Sequence, residues 1–448
     1  MPSLSRQRLG VALVLVAVVA VAGSLAVSAA TGPSAISNAN ANDSADRGKT
    51  VVGMQAAGRV SMFDSNGSRL WTFGTPDTDY FDVTVLDNGS VLTGYITEGE
   101  QECGQYEAPC ARTGFQIIDP GPDANPDPQV TSEWSFPVPE MLNNEVHDVE
   151  PLPSGEFIMT DMANERVFTV APNGTTTWQW NASERYDAPD DPVSTDWLHI
   201  NDVDRIGEGR YMVSVRNANQ LLIIQRGEGV VDVINEDTGD ADDAICKENN
   251  GLRDFSNDSG GDVLCGDPEV MNHQHNPQYL GPDAIMVADS DNNRIVELHN
   301  ESGGWDVAWG VDSSNDRGYS WPRDADRLPN GNTLITDSRN DRVVEVTPNG
   351  TTIWTADTGR WPYEAERLPA QETLNDSSLP RMNASADSGT IGGAETSIPF
   401  VGQAYAGLSY VVSLPLWFAP WHIAVVVVGL LLTIVGGGLV WSGRRRAP

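Results

Sequence analysis

The sequence predicts an all-β fold, a six-bladed β-propeller followed by a C-terminal transmembrane helix. One unit of four short strands recurs six times between about residues 49 and 374. The last copy contains only a first strand, whereas the segment after Thr50 matches the last three strands of a copy. The two partial copies together complete a sixth blade, so N-terminal strands close the ring and remove its open edges. A sandwich or an open barrel is the alternative, but neither produces a circular repeat.

Each repeat begins with a variable residue followed by Asp, Asn or Glu, an apolar residue and a turn. The copies read FDVTVLDNG, HDVEPLPSG, NDVDRIGEG, HNPQYLGPD, RDADRLPNG and YEAERLPAQ. Most continue with a strand, a D-x-x-N-x-R turn, a second strand, an Asn-Gly turn and a Trp-bearing strand, which is typical of antiparallel hairpins. Units of about forty to fifty residues with four short strands indicate propeller blades. The D-x-x-N-x-R strings also resemble calcium ligands, although recurrence at one place in the blades favours turn chemistry.

The ends of the chain indicate a membrane. Residues 11–30 form a Val/Ala/Leu run after two arginines, which fits a cleaved signal peptide or a signal anchor. Residues 423–441 are uncharged and precede three arginines, which predicts a transmembrane helix with a cytoplasmic basic stop and an extracellular propeller. The predicted segments are a signal peptide or anchor at 1–30, a polar linker at 31–48, the propeller at 49–374, a polar spacer at 375–410, the transmembrane helix at 415–441 and a cytoplasmic basic tail at 442–448.

The charge excludes one class of function. The chain has 448 residues, with 63 acidic and 27 basic side chains and a net charge of −36. Such a surface repels nucleic acids, and no Lys/Arg run lies between the termini to offset it. The excess of Asp, with only two lysines, instead indicates a halophilic protein that stays soluble in molar salt.

Cysteines and sequons agree with an extracellular propeller. The cysteines form two local pairs, Cys103/Cys110 and Cys246/Cys265, which predict two disulfides in insertion loops. A metal site is the alternative, but no other ligand-type residue stands at suitable spacing beside either pair. Ten N-x-S/T sequons fall in the middle segment, as a surface glycoprotein would require.

The variable repeat position predicts a site, because equivalent positions on innermost strands surround the central channel of a propeller. Its residues are Phe81, His147, Asn201, His275, Arg323 and Tyr363. Two further histidines, His199 and His273, precede this position by two residues, so strand alternation points them to the same side. Arg216, on the neighbouring strand, and Arg323 can each offer a planar cation to an oxyanion. The set favours a small anion, and coordination of a metal by the histidines is the alternative.

These elements identify a family resemblance. The HD…LPSG, HIND…SVRN, QHN and RDADRLPNGN segments, spread over about three hundred residues, resemble the aryl-sulfate sulfotransferases. The resemblance implies a six-bladed propeller that moves a sulfuryl group from one phenol to another by a ping-pong mechanism without a cofactor. It implies that His275 is the sulfated nucleophile, that His147 assists, and that His199, Asn201 and Arg216 bind sulfate. Arg323 and His273 are additional substrate-binding candidates, and the partners are a small phenolic sulfate and a phenol acceptor.

The sequence leaves a second reading open. D-x-x-N-x-R strands also occur in binding propellers of the NHL type, so a non-catalytic surface propeller that binds a ligand or a protein is the alternative. Other propeller enzymes, such as lactone or sugar-ester hydrolases, are a third possibility. The arrangement of His147, His199 and His275 around one channel, with Arg216 close by, would discriminate between these readings.

Overall fold

A computed structural model describes residues 6–31, 48–236, 246, 264–301, 304–314, 317–369, 379–382 and 420–444. These residues form two compact units, one of 37–391 and one that joins 1–36 to 392–448. In its described residues the first unit contains six antiparallel sheets of four or, in one case, five strands, together with one small two-stranded sheet. The predicted six-bladed propeller is therefore confirmed.

The blades, numbered from the first complete one, have regular boundaries. Blade 1 contains strands Thr78–Tyr80, Thr84–Val85, Val91–Glu100, Cys110–Asp119 and Gln129–Val138. Blade 2 contains Val149–Pro151, Phe157–Asp161, Arg166–Val170 and Thr176–Asn181. Blade 3 contains Ile200–Gly207, Arg210–Val215, Gln220–Gln225 and Gly229–Ile234.

The remaining blades follow the same order. Blade 4 contains His275–Tyr279, Ala284–Asp289, Arg294–Glu301 and Gly304–Val311. A small hairpin, Ser313–Ser314 with Arg317–Gly318, leads to blade 5, which contains Pro322–Arg327, Thr333–Asp337, Arg342–Val346 and Thr352–Asp357. Blade 6 contains Pro362–Arg367 together with Thr50–Met54, Arg59–Phe63 and Arg69–Phe73.

The ring closes through blade 6. Its innermost strand comes from the C-terminal side of the propeller and pairs antiparallel with the first strand of the propeller, with Val52 opposite Ala365. Apolar clusters fill the space between successive blades; one joins Val51 and Val60 of blade 6 to Val91 of blade 1. The closure predicted from the two partial repeats is therefore present.

The Asp or Glu that recurs after the variable position of the repeat has a structural role between blades. Asp148 Oδ2 accepts the backbone N–H of Val203 on the next innermost strand at 2.6 Å, and Asp324 Oδ2 accepts that of Ala365 at 3.0 Å. In blade 4 the residue equivalent to the donors Val203 and Ala365 is Pro277, which has no backbone N–H to donate to the preceding blade. The innermost strand there shifts register between His275 and Gln278. The irregular NPQY sequence therefore corresponds to a local break in the inner sheet beside His275.

The D-x-x-N-x-R segments are turns held by their own side chains. In blade 4, Asp289 Oδ2 accepts from Arg294 Nε at 2.6 Å and from Asn292 Nδ2 at 2.9 Å. The same bonds form in blades 2 and 5 through Asp161 and Asp337. Turn chemistry therefore accounts for these residues. Within the described ranges, no group of three or more His, Cys, Asp or Glu side chains could hold a metal ion.

Both predicted disulfides are present, with Cα–Cα distances of 5.7 Å for Cys103–Cys110 and 6.5 Å for Cys246–Cys265. A short segment beyond residue 374 also contacts the propeller. Leu379 and Met382 are buried in the cluster between blades 4 and 5, and the Met382 N–H donates to Glu297 at 3.0 Å. The rest of the predicted spacer lies outside the described residues.

The second unit contains two helices, Arg6–Thr31 and Pro420–Arg444, which pack against each other. The segments Arg8–Val27 and His422–Ser442 are long and apolar enough to cross a membrane. The C-terminal apolar helix agrees with the prediction, except that residues 415–419 lie outside the described residues. The N-terminal helix is compatible with either a signal sequence or an anchor.

Candidate active site

The side chains at the variable repeat position form one buried cluster at the centre of the propeller. His147 stacks on Phe81 with 4.7 Å between ring centroids, and its ring lies 4.9 Å from that of Tyr363. The Tyr363 ring is 6.0 Å from His275, and the Cζ atom of Arg323 lies 5.1 Å from its centroid. We call this set the channel ring; its members are Phe81, His147, Asn201, His275, Arg323 and Tyr363.

A second set of side chains, which we call the rim, stands two residues before the channel ring. Its members are Asp79, Glu145, His199, His273, Trp321 and Trp361. Four of them have left-handed backbones, with φ of 56° at His199, 50° at His273, 52° at Trp321 and 54° at Trp361. The sequence predicted His199 and His273 on the same side as the ring by strand alternation. They do lie at the site, with the His199 ring 5.5 Å from His147, but a left-handed turn before each strand places them there.

Each left-handed rim residue is held by the preceding blade. Glu165, which closes the turn after the second strand of blade 2, accepts backbone N–H groups from Leu198, His199 and Ile200 at 2.8, 2.7 and 3.0 Å. Equivalent turn residues hold the other rim residues. Asn219 holds His273, Asn293 holds Trp321 and Asp341 holds Trp361, each through one bond to the rim N–H. We call these four contacts the rim clamps; they stabilise conformations that cost about 1–3 kcal/mol each.

His275 has one unprotonated ring nitrogen that is buried and not hydrogen-bonded to any described residue. Its Nδ1 lies 3.1 Å from the His273 carbonyl oxygen, which can only accept, and 2.8 Å from Ser290 Oγ. Since the Ser290 hydroxyl donates to the Pro322 carbonyl at 2.6 Å, Nδ1 carries the proton. Nε2 is buried and has no hydrogen-bond partner among the described residues. Burial, with Arg323 and Arg216 nearby, holds the pKa of His275 well below its usual range, so the ring is neutral.

His147 has partners at both ring nitrogens. Nε2 lies 2.9 Å from a carboxylate oxygen of Glu145, and Nδ1 lies 2.6 Å from the hydroxyl of Tyr363. Burial lowers the pKa of His147, while the bond to Glu145 opposes this shift. Burial would raise the pKa of Glu145, but the bond to His147 outweighs it and the net pKa is lowered, so the carboxylate is ionised.

His199 and Arg216 form a contact that fixes the guanidinium. Arg216 Nη1 donates to His199 Nε2 at 2.6 Å, while His199 Nδ1 donates to Asp196 at 2.8 Å. Burial, together with the Arg216 charge, lowers the pKa of His199 to about 4, so the ring can accept the arginine bond at neutral pH. The Nε atom of Arg216 is buried without a partner among the described residues.

Arg323 brings a second cation to the site. It donates to Gln55 from blade 6, and its Cζ lies 4.0 Å from the centroid of Trp321 and 5.8 Å from that of Trp361. Burial lowers the pKa of Arg323 to about 9, which leaves it cationic at neutral pH. Its Nε is also buried without a partner in the described part of the chain.

The two remaining candidates complete the polar lining. Asn201 donates through Nδ2 to the Gln274 carbonyl at 2.9 Å, and its Oδ1 is buried without a described partner. His273 pairs through Nδ1 with Asp291 at 3.0 Å, and its Nε2 is likewise buried and unpartnered among the described residues. Every residue predicted for the site from sequence therefore lies in the channel ring or beside it.

Several groups at the site were not predicted. Tyr363 stands at the variable position but received no role, and Glu145 has the same two-residue offset as His199 and His273. Their position two residues before the variable repeat position could have identified Glu145, Trp321 and Trp361 as site residues from the sequence. No signal marked Asp196 or Glu165, because their contacts depend on loop and turn geometry.

Comparison with known proteins agrees with part of this interpretation. A sequence model of the arylsulfotransferase (ASST) family matches residues 178–359, a segment that contains His199, Arg216, His275 and Arg323. No curated protein sequence matches the chain.

Solved structures similar to the chain share little sequence with it. A protein of unknown function from Bacteroides caccae is 11% identical with a TM-score of 0.46, and the match covers 71% of this chain and 98% of that one. A periplasmic gluconolactonase from Pseudomonas aeruginosa is 13% identical with a TM-score of 0.42, covering 72% and 99% of the two chains. A virginiamycin B lyase from Staphylococcus aureus is 13% identical with a TM-score of 0.38, covering 68% and 80%.

Proposed function

We propose that the protein is an extracytoplasmic, membrane-anchored aryl-sulfate sulfotransferase that acts by a ping-pong mechanism. The observation that carries the proposal is the state of His275, a buried neutral imidazole whose Nε2 lone pair has no described partner and whose pKa is lowered by burial and by the charges of Arg323 and Arg216. The family match over residues 178–359 supports sulfuryl transfer as the reaction type. The two apolar helices and the two disulfides support the location.

In the first half-reaction, His275 Nε2 attacks the sulfur of a phenolic sulfate. An N–S bond forms, the S–O bond to the phenol breaks, and the phenol leaves with both electrons of that bond. The Nδ1–H bonds to Ser290 and to the His273 carbonyl stabilise the positive charge that develops on the imidazole ring. In the second half-reaction an acceptor phenol oxygen attacks the same sulfur, and the N–S bond breaks to restore neutral His275.

The arginines stabilise the sulfuryl oxygens. Arg216 and Arg323 each bring a buried Nε–H without a described partner to the site, and Asn201 Oδ1 and His273 Nε2 are further buried polar atoms without a described partner. Fixed cations of this kind act more strongly in a dry site than in water, because they need no reorganisation as charge moves. We assign His199 the role of holding Arg216 in place, since its Nε2 accepts the Nη1–H. His147 supplies the proton that the departing phenol oxygen gains and takes up the proton that the acceptor phenol loses.

The test is sulfuryl transfer from 4-methylumbelliferyl sulfate to phenol by the full chain in detergent and molar salt. We expect fluorescent product that requires phenol and is lost in the H275A variant. His299→Ala is the matched control, because His299 lies on blade 4 outside the channel ring and bonds to Glu297. Equal rates in the H275A and wild-type proteins would overturn the nucleophile assignment. A folded wild-type protein that is inactive with several donors would favour the binding propeller.

A further inference from the structure

The contacts of His147 raise a question about how it reaches a substrate. Both of its ring nitrogens are already engaged, Nε2 with Glu145 and Nδ1 with the hydroxyl of Tyr363. His147 is 2% exposed, and its ring stacks on Phe81. A phenol oxygen could bond to His147 directly only by displacing one of these buried partners, which would leave that partner unsatisfied.

The protonation pattern of this cluster is defined by Glu145. The carboxylate can only accept, so His147 Nε2 carries a proton and donates it to Glu145. In the neutral ring, Nδ1 therefore bears the lone pair and accepts from the Tyr363 O–H. In the imidazolium, Nδ1 donates to Tyr363 instead, and the hydroxyl donates to the Asn201 backbone carbonyl oxygen at 3.3 Å, a long bond that a bond to a phenol oxygen can replace. The Tyr363 hydroxyl thus donates a hydrogen bond to His147 when that ring is neutral and accepts one from it when the ring is protonated.

Tyr363 lies among the reacting groups. Its ring contacts those of Phe81, His147 and His275, with centroid distances of 5.7, 4.9 and 6.0 Å. The charge of Arg323 lies over the same ring. Tyr363 carries the phenol hydroxyl of the channel ring. Its hydrogen bond to His147 Nδ1 joins the innermost strand of blade 6 to blade 2.

We propose, building on the function proposed above, that Tyr363 is a catalytic residue whose hydroxyl passes the proton between the phenol oxygen and His147. In the first half-reaction the Tyr363 proton moves to the departing phenol oxygen, and His147 Nδ1 replaces it, leaving neutral His147. In the second, the acceptor phenol gives its proton to Tyr363, which passes its own to Nδ1 and restores the imidazolium beside ionised Glu145. One proton is taken from each acceptor and given to each donor phenol, so the cycle balances.

The sulfate group itself assists this relay. Burial, and after it the charges of Arg323 and Arg216, lower the pKa of His147 and so disfavour a proton there in the empty site. A bound sulfate anion offsets those charges, so donor binding favours the imidazolium that the first step consumes. His147 therefore carries the proton needed in the first half-reaction when a sulfate donor is bound.

The test compares Tyr363→Phe with wild type over a series of aryl sulfates whose leaving phenols differ in pKa. The Phe ring keeps the contacts with Phe81, His147 and His275 but removes the hydroxyl. We expect formation of sulfated enzyme to fall about 100-fold or more for phenyl sulfate, but less than about threefold for 4-nitrophenyl sulfate, which leaves without needing a proton. Tyr186→Phe is the matched control, because Tyr186 is also fully buried and bonds through its hydroxyl to Gln220 at 2.7 Å.

The outcomes separate the two proposals. Two results in the Y363F variant together support both the sulfotransferase function and the relay. His275 becomes sulfated with the nitrophenyl donor, and the rate of sulfation depends more steeply on the pKa of the leaving phenol than in wild type. A uniform loss across all donors in a folded Y363F protein, or no loss at all, overturns the relay while the sulfotransferase proposal stands. Absence of sulfated enzyme from the wild-type protein overturns the proposed function and the relay with it. Glu145→Gln provides a second readout. Loss of the Glu145 charge should make the rate of sulfation depend more steeply on the pKa of the leaving phenol, although Tyr363 is intact.

Discussion

The rim clamp at His199 gives a stability prediction that can be worked from the contacts. Glu165→Ala removes the acceptor for three buried backbone N–H groups, whereas Asn293→Ala removes the acceptor for one. A buried donor left without a partner costs about 1–3 kcal/mol. Both positions have left-handed backbones, with φ of 45° and 55°, so the cost of placing Ala there is similar in the two variants.

Three buried donors at that cost predict that Glu165→Ala lowers the free energy of unfolding by about 3–9 kcal/mol. The Trp321 N–H bond to Asn293 is exposed to water, so Asn293→Ala should cost only about 0.5–1.5 kcal/mol. The measurement is urea unfolding at fixed salt, followed by tryptophan fluorescence, with the slope m checked for constancy. Glu208→Ala is the control, because Glu208 is exposed on blade 3. If Glu165→Ala is no more destabilising than the Glu208 variant, the clamp does not hold the His199 turn.

Four further results are expected. Arg216→Met should lower kcat/KM for aryl sulfates by about 10²–10³-fold, the loss typical of one oxyanion donor, with a native circular dichroism spectrum as the check on folding. Because the pKa of His275 is depressed, sulfation by 4-nitrophenyl sulfate should not decline with an acid limb at pH 6.5; a limb centred there would contradict a neutral buried nucleophile. Cys246→Ser should lower the free energy of unfolding by about 2–4 kcal/mol relative to oxidised wild type. Calcium chelation should leave thermal unfolding unchanged, since side chains fill the D-x-x-N-x-R turns.

Acid should also destabilise the fold through His199. Its folded pKa of about 4 lies below that of an unfolded histidine, so the unfolded chain binds more protons between about pH 4 and 6.5. The stability contributed by the neutral ring is complete above that window and is lost as the pH falls through it. The pairing of His199 with Asp196 acts in the same direction, because it holds the pKa of that carboxyl below its usual range against the effect of burial.

The repeat made the fold predictable because each copy carries its own strand and turn signals. The same register identified the channel ring, since one position in six copies faces one axis. Side-chain partnerships across the ring were beyond the sequence. His147 and Tyr363 are 216 residues apart, and their contact depends on closure between blades 6 and 1. The left-handed conformation of His199 was also hidden, because histidine rarely adopts it without a clamp such as Glu165.

The sequence of blade 4 departs from the repeat next to His275, the proposed nucleophile. NPQY departs from the repeat, and the structure has a bulge between His275 and Gln278 where Pro277 cannot donate to blade 3. Bulges commonly re-aim a side chain beside an active site. The departure from pattern therefore marked the residue to which the mechanism assigns the chemistry.

The most direct test of the central claim is to trap the sulfated enzyme. The full chain is exposed to 4-nitrophenyl sulfate without an acceptor, digested at neutral or basic pH and analysed by mass spectrometry. We expect one added sulfuryl group on the peptide containing His275, absent from the H275A variant and discharged when phenol is added. A sulfuryl group on another residue, or turnover without any sulfated peptide, would contradict it.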